Sequence, residues 1–327
     1  MATKRNVTTY LSRDEIRSLV TPTNLEGVLS VATSWSVIAA CFVLLARFPT
    51  NPLAWIVAVV VLGGRQLALA ILMHECSHHS LFRTRALNDV LGKWLCAAPV
   101  WQRLDAYRKH HLAHHAHTSL PGDPDLGLVE PYPTTRRSLA RKLARDLSGI
   151  AFFRRVAGQL AMDAHVLTYS ASTGQQRVSP PPSAGKMLAN LATNFGPVVL
   201  TNLALAAVLA AFGHGELYAA WVLANATTFS LFVRLRSIAE HAVTENTTDP
   251  FRNTRTTRAN LLARLTVAPH HVNFHLEHHL VPTVPHYRLP AFHRLLVERG
   301  AYADARLAGG YFDVLRLAVK GVGREIA

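Results

Sequence analysis

From Leu29 to Ala46 the chain carries no charge, and from Leu53 to Met73 its only strongly polar side chains are Arg65 and Gln66. The stretch Arg47-Phe48-Pro49-Thr50-Asn51-Pro52 turns the chain back between these two runs. Met187 to Phe212 and Leu217 to Val233 repeat the arrangement across the short connection Gly213-His214-Gly215-Glu216. Runs of this length and apolarity are stable as helices surrounded by lipid. From Pro52 to His74 a helix rises ~33 Å, slightly more than the ~30 Å of a bilayer's hydrocarbon layer. The composition agrees: 50% of residues are hydrophobic, 17% are charged, and the mean hydropathy is +0.15. The expected fold is therefore all-α and integral to a membrane. Four transmembrane helices form two hairpins, with spans at about 29–47, 53–73, 187–212 and 217–234.

Charge orients this arrangement. Of 34 Lys and Arg residues, only Arg47 falls in the two connecting turns and only Arg65 within a span. The positive-inside rule places all the others, with both termini, in the cytosol. A net charge of +14 would also suit a nucleic-acid binder. The apolar runs instead favour basic loops against an anionic inner leaflet, so no nucleic acid is expected. Met1 to Thr23 is polar and lacks the apolar core of a signal peptide, and Cys41, Cys76 and Cys96 form no disulfide pattern.

The remaining segments are short. Ser12-Arg13-Asp14-Glu15 is a capping box that starts a helix ending before Pro22. Asn88 to Pro99 is apolar but too short to span, which predicts a helix buried in or lying on the membrane surface. Thr135 to Leu147 is basic, with Leu139, Leu143 and Leu147 on one helical face. Such a helix either lies in the interface or packs on its own domain. Ser179-Pro180-Pro181-Pro182-Ser183 reads as a linker, and Leu289-Pro290 opens a helix that Gly300 closes. The division expected is a cytosolic segment 1–28, one membrane domain 29–300, and a cytosolic tail 301–327.

Histidine is the conspicuous residue. Thirteen of the 18 histidines fall in three windows, His74 to His79, His110 to His117 and His270 to His279. Within them His74 and His78, His111 with His114 and His115, and His275 with His278 and His279 recur at helical spacings of three and four. Each set therefore presents its imidazoles to one point. Imidazole suits iron, copper, zinc and nickel, and three such sets could fill the shells of two ions. His74-Glu75-Cys76-Ser77-His78 also matches the H-E-x-x-H zinc-protease helix. That reading leaves the two H-x-x-H-H sets and His79 unexplained. A metal transporter would carry its histidines in irregular low-complexity tracts rather than in short, similarly spaced sets beside the spans.

At these residues the chain resembles the integral-membrane fatty acid desaturase superfamily, in which three histidine boxes lie around transmembrane hairpins. His74 to His79 resembles box one, His110-His111-Leu112-Ala113-His114-His115 box two, and His275-Leu276-Glu277-His278-His279 box three. The Asp123-Pro124-Asp125 turn resembles that of bacterial members, which implies a bacterial inner membrane. The resemblance runs from about Thr33 to Gly300. It implies a helical cytosolic cap holding a non-haem di-iron centre with nine histidine ligands: His74, His78, His111, His114, His115, His275, His278, His279, and His241 after the fourth span. His79 and His110 adjoin this set outside its register. Ser237 stands where related acyl-CoA desaturases have an asparagine four residues before the ninth histidine. His117, His270 and His271 are expected on the surface or behind the ligands; His165, His214, His286 and His293 have no partner pattern.

Metal-bound imidazoles usually donate their second N–H to a carboxylate, and Glu75, Asp123, Asp125, Glu240 and Glu277 are the nearby candidates. Trp101 and Tyr107 are candidates to wall an acyl slot. The activity implied is O2-dependent dehydrogenation of an acyl chain to a C=C bond, with the cofactor carrying the chemistry. The same centre hydroxylates or ketolates when oxygen is transferred instead, so a lipid hydroxylase or carotenoid ketolase is the alternative. The chain contains no His-Pro-Gly-Gly haem motif. A separate ferredoxin- or cytochrome b5-type protein would supply electrons, and the basic face would suit an acidic donor.

Overall fold

A computed structural model of the chain describes residues 5–172 and 174–319. It is helical nearly throughout. The helices in chain order are α1 (Arg13–Leu19), α2 (Asn24–Arg47), α3 (Pro52–Ser77), α4 (Arg85–Leu91), α5 (Leu104–His117), α6 (Leu126–Val129), α7 (Arg136–Leu147) and α8 (Ile150–Asp163). They continue as α9 (Ala184–Ala211), α10 (Tyr218–Ala224), α11 (Ser230–His241), α12 (Pro250–Asn253), α13 (Leu261–Leu265), α14 (His275–Leu280), α15 (Leu289–Glu298) and α16 (Tyr311–Leu317). Two-residue strands β1 (Thr256–Thr257) and β2 (Leu307–Ala308) pair in parallel.

Three of these helices, α2, α3 and α9, are long and apolar enough to cross a membrane. Local chemistry sets their ends. Thr23 accepts the N–H of Glu26 to cap α2, Asn51 caps α3 with Pro52 at its first position, and Ser183 caps α9. The α2–α3 hairpin closes on a core of Ile38, Phe42, Leu45, Ala58, Leu62 and Leu69, into which Trp221 of α10 packs.

The fourth apolar run departs from a regular helix. Its backbone stays helical from Tyr218 to His241, but Asn225–Phe229 is a π turn between α10 and α11. The reason lies at Asn225: its carbonyl accepts the Ser230 hydroxyl at 3.0 Å, and its side-chain oxygen accepts from the buried Arg155 guanidinium of α8. A carbonyl engaged in this way is accommodated by widening the turn. Beside it Thr228 donates to the Val59 carbonyl at 2.8 Å. A Cβ on Gly63 would meet Phe229 N at 2.8 Å. So α3 and the α10–α11 helix pass in close contact here, and both end at the histidines.

Around those ends lies a cap of short helices. The capping box of α1 forms as its sequence requires, with Ser12 N–H donating to Glu15 at 2.7 Å and Glu15 N–H to Ser12 at 3.2 Å. Leu11 and Leu19 then pack under Phe251, Leu289 and Phe292. The Asn88–Pro99 segment holds the end of α4, a π turn at Gly92–Ala97 and a 3-10 turn that stops at Trp101 with φ 64°. Helix α7 turns Leu139 and Leu143 to the protein, against Ile238 and Ala239 of α11 and Val314 of α16, and leaves Leu147 exposed. Residues 301–319 are integrated too, through the β1–β2 pair and the buried Ala301, Val314 and Ala318. The cysteines Cys41, Cys76 and Cys96 are free and buried.

Candidate metal centre

Four segments deliver the histidines to one place: the C-terminal ends of α3 and α11, the middle of α5, and α14. Helical spacing turns His111 and His115 together and leaves His114 on the adjoining face of α5; on α14, His275 and His279 align and His278 faces the other way. The result is two groups. His74, His78, His111, His115 and His278 form one, and His114, His241, His275 and His279 the other. Within each group the candidate ligand atoms lie within 4.8 Å of one another. Box one serves only the first group and His241 only the second, while α5 and α14 contribute to both.

The inward atoms lie close together. Nε2 of His115 is 3.0 Å from Nε2 of both His111 and His278, and Nε2 of His275 is 2.8 Å from that of His241 and 3.1 Å from that of His279. Outward Nδ1 atoms meet acceptors. His114 donates to Asp123 at 2.8 Å and His241 to the Asn253 carbonyl at 3.3 Å, while Nδ1 of His279 lies 3.3 Å from the Thr118 hydroxyl. Protons held on Nδ1 leave Nε2 as a lone pair. Burial, and then the neighbouring imidazoles, push His111, His115, His275, His278 and His279 well below the ordinary histidine value, so all five stay neutral. His114 is the exception: burial opposes its charge, but the Asp123 hydrogen bond carries it above the ordinary value. Nε2 of His74 and of His78 is buried without any hydrogen-bond partner. Lone pairs turned inward within each group repel one another, and a cation in each group removes that repulsion. The donor set fits two borderline metal ions, iron among them.

The candidate carboxylates divide. Asp123 holds His114 directly. Glu75 and Glu240 lie 3.3 and 3.4 Å from Nδ1 of His74 and His275. Asp125 holds His110 at 2.8 Å and is 3.8 Å from His114. Glu277 faces elsewhere: its fully buried carboxylate accepts from Thr256, Tyr302 and His293, binding α14 to β1 and α15. His110 and His79 lie outside both groups; His110 bonds Asp125, and His79, at φ 55°, lies 4.0 Å from Asp89. Glu75 also accepts the backbone N–H of His286 at 2.8 Å and the Ser80 hydroxyl at 3.2 Å. It is turned into the protein, away from the position a zinc-protease base would need.

Tyr107 stacks on His111 with ring centroids 5.2 Å apart, whereas Trp101 packs at right angles on Phe152 and Phe195, away from the imidazoles. Sequence reading missed Thr118 and Asn253, which meet the outward nitrogens of His279 and His241. A hydroxyl after a helix reads as a turn, and a backbone carbonyl carries no sequence signal at all. It also missed the buried His286 and the half-buried His293, partners of Glu75 and Glu277.

Comparison with known proteins gives this geometry a context. The pattern of the fatty acid desaturase family matches residues 50–309, most of the chain and all nine histidines of the two groups. The chain belongs to the fatty acid desaturase family. Among desaturases, the dihydrorhizobitoxine desaturase of Bradyrhizobium elkanii is 26% identical over 302 residues, covering 89% of this chain and 81% of the relative. The beta-carotene ketolase of Paracoccus sp. (strain PC1) is 29% identical over 108 residues, 32% of this chain and 43% of that enzyme. The desaturase pattern thus extends well beyond the histidine sets, through both sides of the α3–α11 pair.

Proposed function

We propose that this chain is an O2-dependent desaturase of membrane acyl lipids. The observation that supports it best is the pair of converging groups, five imidazoles and four, with ring nitrogens clustered together and those of His74 and His78 buried without a partner. On this reading two iron ions are held, one by His74, His78, His111, His115 and His278 and the other by His114, His241, His275 and His279. When bound, they supply the oxygen-dependent removal of hydrogen from an unactivated methylene. The protein's part is to hold and to exclude. Asp123, the Asn253 carbonyl and Thr118 fix imidazole orientation, with Glu75 and Glu240 as further acceptors. Tyr107 holds the ring plane of His111 and borders the space where an acyl chain would lie.

The architecture proposed with this function has four spans in one membrane domain, the α10–α11 helix being the fourth. The histidines and both ends of the chain lie on the cytosolic side of a bacterial inner membrane. Residues 1–4 and 320–327 lie outside the described structure. A separate ferredoxin- or cytochrome b5-type protein would dock on the basic face and deliver electrons. Similarity to a ketolase over 108 residues supports one second reading, oxygen insertion into the substrate by the same centre.

Mass spectrometry of total lipids from a host expressing the chain, beside His278→Ala, tests the proposal. Acyl chains two hydrogens lighter, seen only with the intact protein, are expected. Chains one oxygen heavier would establish the second reading. Purified protein without iron would overturn both.

A further inference from the structure

Arg65 sits in the middle of α3, a helix apolar enough to cross a membrane, and its guanidinium reaches neither solvent nor a carboxylate. Nη2 donates instead to the carbonyls of Arg264 and Leu265, at 3.0 Å each, the last carbonyls of α13. The two segments touch. A Cβ on Gly64 would meet the Leu265 carbonyl and approach Thr266 Cα to 2.9 Å. Gly64 is twelve residues along α3 from Pro52, about 18 Å of helix, against a hydrocarbon layer of about 30 Å. On the antiparallel α2, Ser34 is as far from the turn as Arg65 and meets Nε2 of His270 at 2.8 Å. The apolar surface of α2 continues past that level toward the cap through the exposed Leu29, Val28 and Leu25. Helix α13 thus lies below the edge of the apolar belt, yet Leu261 and Leu262 are 74% and 66% exposed.

A second corner also lies against the membrane-crossing part of the fold. Gly149, between α7 and α8, has its Cβ position 3.9 Å from the Cβ of Ala226, two residues before the Thr228 that bonds Val59. Leu147, Ile150 and Phe153 are exposed there, Phe153 at 71%. Here too an arginine serves a helix carbonyl, Arg155 reaching that of Asn225 at 3.5 Å. Carbonyls released from a helical ladder find no water in hydrocarbon and need a donor from the protein.

We infer that α13 and the α7–α8 corner form a lipid-immersed collar, re-entrant from the histidine side, whose exposed leucines and phenylalanine contact acyl chains. Arg65 and Arg155 are the internal donors that make irregular backbone tolerable at this depth. The exposed Arg141, Arg154, Arg258 and Arg264 lie along the same two segments and extend from them toward anionic headgroups. A protein partner is excluded at these tips because it would have to enter the bilayer. Since α13 leads through Pro269–His271 directly into α14, immersion also fixes the height of His275, His278 and His279 above the lipid.

The inference rests on the α2–α3 hairpin crossing the bilayer, so the test carries a control on that hairpin. Nitroxide labels are placed singly at Leu262→Cys and Phe153→Cys in the full chain in anionic nanodiscs, with Ile56→Cys on α3 as control; Ile56 is 61% exposed and the native cysteines are buried. Collision with oxygen exceeding that with a neutral nickel chelate at all three sites is the expected result. Chelate access at positions 262 and 153, with 56 protected, would overturn the collar while leaving the hairpin standing. Chelate access at 56 would overturn the spanning hairpin and the collar with it.

Discussion

Asp123 serves three donors with two oxygens. Oδ1 accepts Nδ1–H of His114 and the backbone N–H of Asp125, and Oδ2 the backbone N–H of Ser119, all at 2.8 Å. It thereby closes the turn after α5 and orients an imidazole of the second group in one arrangement. Asp123→Ala is expected to lower iron affinity about 10- to 100-fold without changing helix content, as outer partners of metal ligands generally do. Chelator competition monitored by metal analysis measures this, and an affinity equal to that of the parent would remove Asp123 from the centre. Residue types and spacings alone make Asp123 legible. Glu277 looks equivalent in the sequence, between His275 and His278, but the third residue of a short helix points away from the first and fourth. Its carboxylate therefore binds Tyr302 and His293. Sequence proximity to an imidazole is a weaker guide than helical phase.

The helices themselves are legible in the sequence where one face or the whole surface is apolar. For α2, α3 and α9, hydropathy alone places both ends within about five residues. The π turn at Asn225–Phe229 is not legible, because part of what holds Asn225 there is an arginine on α8, distant in sequence. Nor is the fate of α7, whose leucine stripe suits lipid and protein equally; packing against α11 decides it. The close passage of α3 and α11 depends on Gly63, where a Cβ would meet the Thr228 side chain and Phe229 N. Gly63→Ala should push the two helices apart, destabilise the protein by about 1–3 kcal/mol as overpacking does, and loosen metal retention, because both helices end in candidate ligands. Gly158→Ala on α8, which meets nothing within 4 Å, should leave metal content unchanged and not lower the melting temperature. Equal behaviour of the two variants would count against this account of the α3–α11 contact.

At the scale of the molecule, a net charge of +14, concentrated on the histidine side in the proposed topology, would make delivery by the proposed donor sensitive to salt. The association rate of an acidic donor is expected to fall steeply between low and physiological ionic strength; a rate independent of salt would mean that the basic face does not guide docking. The division of labour among the helices has a further consequence. Helix α5 gives two imidazoles to one group and one to the other, and α14 does the reverse. Neither helix can settle around one ion without also arranging the partner set. The two binding events share their ordering entropy, so the first ion lowers the conformational cost of the second. Iron titration of the stripped protein should therefore be cooperative, passing almost directly from empty to doubly loaded, with singly loaded chains scarce in native mass spectra. A ladder with the single-ion species dominant at half saturation would show the two groups to be independent. Cooperative loading would make the two-ion state self-selecting: a chain that has lost one ion tends to lose both.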